Sequence, residues 1–153
     1  MTHAELLDAL ARTPARVAEL AAKVGEANVR TRPPGGGFAL VEQMWHLADL
    51  EREGYAVRVR LLLTEAAPML PDFRGDAVAR ERRYLELDPA EGLRAFAEAR
   101  AANVAALRAL APADLARAGE QEGVGRVTLA DVPRMMLEHD RGHIAEIEAL
   151  PVS

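Results

Sequence analysis

A chain of 153 residues is long enough for one domain with a core that needs no staples. Half of it is hydrophobic but only 4% is aromatic, so the core must be built from Ala, Leu and Val, and the lack of β-branched runs favours helices. A net charge of −5 argues against a nucleic-acid partner, which calls for a basic face, and the absence of cysteine excludes both a disulfide framework and a thiolate metal site. Any metal must be held by His, Asp or Glu. No apolar run reaches the roughly 20 residues of a membrane span. The opening MTHAELLDAL lacks a basic region followed by an apolar stretch, so no signal peptide is expected and the cytoplasm is the expected compartment.

The apolar residues Leu6, Leu7 and Leu10 mark a short amphipathic helix over residues 3–12. Thr13-Pro14 reads as an N-cap with Pro at the first helical position, starting a second segment through Val24. His3 lies at a fraying end and receives no role. The run RTRPPGGG from Arg30 to Gly37 is a loop, and the next long helix is expected from about Phe38 to Leu63. Residues Ala66 to Asp88 form a long irregular connection with Pro68, Pro71 and Gly75, and a short helix is expected near Asp76–Tyr84. Connections of this length often cover a site. Asp88-Pro89-Ala90-Glu91 signals a helix start with a capping box, and the helix runs to about Leu110 with Leu93, Phe96, Val104 and Leu107 inward. Pro112 and Gly119 to Gly125 lie in the following connection. The last helix spans Thr128 to about Leu150, with Thr128 and Asp131 as alternative caps. The expected architecture is all-α: one domain, residues 1–153, folded as a four-helix bundle.

The last helix carries His139 and His143, one turn apart on one stripe. Val132, Met136, Ile147 and Leu150 share that spacing, so both imidazoles are expected on the buried face. Two histidines at i and i+4 can hold one transition metal, with a third ligand from elsewhere. The residue after His139 is Asp140 rather than Glu, which sets aside the zinc-protease pattern. His46, on the second long helix, lies on a mixed stripe with Glu42, Gln43, Asp49, Leu50, Glu53 and Val57, a face suited to a half-wet pocket. Bundles build metal sites from facing helices. One His from the second long helix and the pair from the last can meet at one end of the core, leaving coordination positions open as in catalytic sites.

Two segments resemble the DinB/YfiT-like family. FALVEQMWHLADLERE is similar to its second helix, with the His-Leu motif followed by an acidic residue, and GRVTLADVPRMMLEHDRGHIAEI is similar to its last, with the HD-x-x-H core. DFRGDAVARERRYLELDPAEGLRAFAEAR is similar in kind to the family's connection, so the likeness covers most of the chain. The resemblance implies a four-helix bundle with a long irregular connection between helices 2 and 3. It also implies a divalent metal (nickel, zinc, iron or manganese) on His46, His139 and His143. One departure is Ala39, where a capping Ser or Thr is expected, at a cost of about 1 kcal/mol.

The leading expectation is a metal-dependent transferase that activates a low-molecular-weight thiol such as bacillithiol, mycothiol or glutathione, since a divalent ion lowers a thiol's pKa. Asp140, Glu42, Gln43 and Asp49 are candidates to orient the imidazoles, and Arg141 is a candidate for an anionic substrate. The alternative is a metal-dependent hydrolase, with Glu53 or Glu42 as base. A non-enzymatic, stress-related metal-binding bundle is the third reading. The expected partners are a small-molecule substrate and a second copy of the chain in a homodimer, because Ala-rich helices pack closely; no nucleic acid and no membrane are expected.

Overall fold

The structure, a computed structural model, describes residues 1–152. Helix α1 (His3–Val24) begins at Thr2, whose hydroxyl accepts from the Glu5 amide. The break expected at Thr13-Pro14 is absent, and the two N-terminal segments are one helix. Pro14 has no N–H for the carbonyl four residues back. That carbonyl, of Leu10, instead accepts from Arg100 Nη1 at 3.0 Å. Thr13 caps nothing: it is buried and donates to Asp140 Oδ2 at 2.6 Å. His3 does have a partner, the Leu107 carbonyl, 3.2 Å from its Nε2.

Helix α2 (Leu40–Asp49) starts two residues later than expected. It passes through a π-helical turn, Leu50–Tyr55, into α3 (Ala56–Thr64) without a break in helical backbone. Ala39 cannot supply a side-chain cap, but Glu42 Oε1 accepts from the Ala39 amide at 3.0 Å and so provides half of a capping box. Arg32 grips the same carboxylate at 2.9 and 3.0 Å. The long connection contains strand β1 (Met69–Leu70), helix α4 (Gly75–Glu81), close to the short helix expected there, and a 3₁₀ turn, Tyr84–Glu86. Helix α5 (Pro89–Arg108) begins as expected, with Asp88 accepting from the Glu91 amide at 3.1 Å. The next connection folds into strands β2 (Ala118–Gln121) and β3 (Gly125–Thr128), which pair antiparallel, while β1 adds in parallel to β2. This small sheet was not expected; it is a minor addition to the helical fold. Thr128 and Asp131 do exchange the two capping bonds, at 2.9 and 3.3 Å, but these close the turn before α6 (Val132–Glu148) rather than the helix itself.

The four-helix bundle is a ring in which α1 packs on α5 and α6, α2 packs on α5, and α2 meets α6 along the loosest seam. Its core has two apolar clusters. One gathers Leu6, Leu10, Tyr55, Leu62, Leu107 and Met136; the other gathers Val17, Leu40, Met44, Leu47, Phe96 and Ile147. Between them a charged layer crosses the bundle. Arg100, 1% exposed, donates to Glu51 Oε1 at 3.0 and 2.7 Å and to both oxygens of Asp140 at 2.8 Å. Asn103 donates to Glu51 Oε2 at 2.7 Å. Burial alone would lower the Arg100 pKa, but hydrogen bonds and charge from Asp140 and Glu51 overcome it, so the guanidinium is held protonated. The layer ties all four helices to one register. Among the described residues, no helix is long and apolar enough to cross a membrane.

Candidate metal centre

Val132, Met136 and Ile147 of helix α6, and Leu150 just after it, are buried as expected, but the helix's buried face is turned so that Asp140 takes the place expected for the histidines. Its buried residues are Val132, Pro133, Met136, Leu137, Asp140 and Ile147, while His139 is exposed and His143 half-buried. The reason is Asp140. A charged residue is normally assigned outward, but Arg100 and Thr13 draw this one into the core and so turn the two histidines to its flank, towards α2. His46 comes from the other side of that seam. Its ring centroid lies 4.7 Å from that of His143, which lies 6.1 Å from that of His139 with the planes nearly parallel. The three imidazoles expected to hold a metal are thus neighbours on two facing helices.

Each ring has a different environment. His46 is 8% exposed, enclosed by Phe38 and Phe73, and its Nδ1 is buried with no hydrogen-bond partner. Desolvation, reinforced by His143 and His139, pushes its pKa down to about 3, so the ring is neutral and keeps a lone pair for a ligand. His143 is held by a relay. Gln43 donates from its amide nitrogen to Glu146 Oε2 at 2.6 Å, which turns its oxygen to His143 Nδ1 at 2.8 Å. That oxygen can only accept, so Nδ1 carries the proton and Nε2 is left as the donor atom for a metal. Burial also lowers the His143 pKa, against an opposing pull from Glu146. The exposed His139 ring has the Tyr55 ring at its edge, centroids 6.2 Å apart.

Among the described residues, no group of three His, Asp or Glu side chains is drawn up as a ready-made coordination shell. The donor chemistry nonetheless fits a divalent ion. Two of the imidazoles are held neutral, one packed with its Nδ1 edge against Gly75 and the other with a fixed tautomer, which leaves Nε2 of each for an ion, and the third sits on an exposed helix face where rotamers change freely. A cavity of about 560 Å³ opens beside His46 and His143, with Phe38, Gly75, Asp76 and Glu146 on its walls. A second depression, about 530 Å³, lies across α6 against His139, Glu138 and the outer side of His143. Among the described residues, neither is lined by Lys or Arg.

The candidate polar residues are placed as follows. Gln43 orients His143. Glu42 is committed to Arg32 and the α2 cap, and Asp140 to the charged layer. Asp49 accepts from Tyr84 at 2.5 Å and Arg82 at 2.8 Å, and Glu53 pairs with the same Arg82. Arg141 is exposed beside Met1, Leu6 and Arg134, outside both histidine cavities. The carboxylates that do line the main cavity, Glu146 and Asp76, were not among the candidates. Glu146 follows His143 by three residues, a spacing that places it on the same face; nothing in the sequence marks Asp76.

The family model for the DinB superfamily matches residues 9–147. A protein of Bacillus licheniformis named "Putative metal-dependent hydrolase" is 29% identical over 141 residues, covering 92% of this chain and 80% of its own. The solved structure described as "YfiT from Bacillus subtilis is a probable metal-dependent hydrolase with an unusual four-helix bundle topology" superposes with a TM-score of 0.86. Its identity is 23%, over 95% of this chain and 83% of that one. The chain belongs to the DinB superfamily.

Proposed function

We propose that the protein is a metal-dependent hydrolase whose divalent ion is held by His46, His139 and His143. The observation that carries this reading is the cavity beside the histidines, walled by Glu146 and Asp76 and free of Lys and Arg. A bound ion would make coordinated water a nucleophile at neutral pH. The protein's own residues then have separate tasks. Gln43 keeps the His143 proton on Nδ1, so Nε2 remains a ligand. Glu146 spends one lone pair on Gln43 and has others with which to accept a proton in the cavity. Phe38 and Phe73 flank the buried His46 ring and hold it in place. The similarity to proteins named as metal-dependent hydrolases supports the same reading.

Transfer to a low-molecular-weight thiol is the second reading. It is favoured by the donor set: three histidine ligands bring no negative charge to neutralise the ion's double charge, and no cysteine competes for a soft open position. Against it stands the lack of any Lys or Arg in the cavity to receive the carboxylates of glutathione-like thiols. Cobalt-substituted protein separates the two. The expected result is hydrolysis within a panel of esters and amides, abolished by Glu146→Gln with the cobalt spectrum retained. An intense near-ultraviolet sulfur-to-cobalt band with millimolar thiol, missing in His46→Ala, would overturn that order and put the transferase first. No turnover with any class would leave a metal-binding bundle. The homodimer is proposed on the same footing, with light scattering as its test.

A further inference from the structure

Two successive aromatic side chains of α2 are each seated against a glycine from another segment. A Cβ on Gly92 of α5 would lie 2.8 Å from Trp45 Nε1, and one on Gly75 at the start of α4 would lie 2.6 Å from His46 Cε1 and 2.8 Å from its Nδ1. Neither glycine has a positive φ. Glycine is a poor helix former, so its use at these helical positions is the space it leaves, not backbone freedom.

The seat matters most for His46. A metal-binding histidine usually donates its other ring N–H to an acceptor, which fixes the ring. Gln43 does this for His143, but the Nδ1 of His46 has no partner. Among the described residues only packing orients the His46 ring: His143 at 4.7 Å, Phe38 at 5.3 Å and Phe73 at 6.0 Å between centroids, and the bare backbone of Gly75 against the Cε1–Nδ1 edge. A methyl group at position 75 must displace either α4 or the imidazole.

We propose that Gly75 is a positioning residue of the histidine centre: it lets the start of α4 lie flat against His46, fixes the orientation from which the ring binds metal, and couples the long connection to metal binding. This rests on the three-histidine reading above.

The test compares Gly75→Ala with two controls in the full-length protein, Gly92→Ala, which crowds Trp45, and Gly142→Ala, which lies between His139 and His143 with nothing within 4 Å of its Cβ. Cobalt titration should show affinity weakened about ten- to a hundredfold by Gly75→Ala and unchanged by either control. In metal-free protein, Gly75→Ala should lower the melting temperature of the parent but not of His46→Ala, where the methyl group has room. Parent-like cobalt affinity in Gly75→Ala, or equal destabilisation in both backgrounds, overturns the proposal. If Gly75→Ala folds only when combined with His46→Ala, the contact is upheld; if it folds in neither, the contact is refuted. A parent that binds no cobalt removes the three-histidine reading and this proposal together, whereas a parent and Gly75→Ala that bind alike defeat this proposal alone.

Discussion

The bundle holds two sets of polar groups between its helices that differ in how deeply they are buried and how completely they are satisfied. In the charged layer, Arg100 faces Glu51, Asp140 and the Leu10 carbonyl freed by Pro14, Thr13 shares Asp140 Oδ2 with Arg100, and Asn103 occupies the second Glu51 oxygen. At the α2–α6 seam, among the described residues, the buried His46 Nδ1 has no partner, and His139 stands exposed on the second depression. A saturated network locks helix register and has no vacancy for chemistry. An unsaturated cluster of ring nitrogens next to open space is an invitation to a ligand. The first also builds the second, because Asp140 in the layer fixes the rotation of α6 that puts His139 and His143 on the seam.

The largest expected effect comes from breaking the saturated set. Arg100→Ala should cost about 3–5 kcal/mol, because two buried carboxylates lose their partner. Urea denaturation of the metal-free protein measures it. Replacing Arg100, Glu51 and Asp140 together with Met and Leu should restore most of that stability, and a triple variant as weak as Arg100→Ala would contradict the account.

A smaller effect is expected from loosening the unsaturated set. Gln43→Leu keeps the volume but removes the acceptor at His143 Nδ1. Metal affinity should fall about ten- to a hundredfold, or roughly 1.4–2.7 kcal/mol, with little change in the metal-free melting temperature. Calorimetric titration would detect this, and unchanged affinity would mean that Nδ1 rather than Nε2 faces the ion.

Per unit of pH, the smallest effect is the pH dependence of the metal-free protein. His46 is held near pKa 3 when folded, against about 6.5 when unfolded. Below 6.5 the unfolded chain takes up a proton that the folded one refuses. The stability from a neutral His46 is therefore complete above 6.5 and declines by about 1.4 kcal/mol per pH unit as pH falls towards 3. Subtracting the same curve for His46→Phe isolates this slope; identical curves would show that the ring is open to protons.

The bundle was legible because Leu and Ala at helical spacing dominate the chain, and the three histidines because two motifs place them on facing helices. The orientation of α6 was not. A count of apolar residues treats Asp140 as outward, and only the distant Arg100, itself invisible in an Ala-rich helix, reverses that. Pro14 misled for a related reason: a proline ends a helix unless something else satisfies the carbonyl it strands, and here Arg100 does. The sheet escaped notice because AGEQ and GRVT carry too few β-branched residues to signal strands. Glu146 lies three residues beyond His143 and so shares its helix face, but nothing in that spacing separates it from a solvated surface carboxylate.

The central claim is that three histidines far apart in sequence hold one ion only in the folded bundle. Thermal melting of the metal-loaded protein, with and without chelator, tests it most directly, with His143→Ala in parallel. At a thousandfold excess of metal over its dissociation constant the ion should add about 4 kcal/mol. Chelator should therefore lower the melting temperature of the parent while leaving a folded bundle, and should have no effect on His143→Ala. A His143→Ala variant that loses as much stability to chelator as the parent would contradict the three-histidine centre.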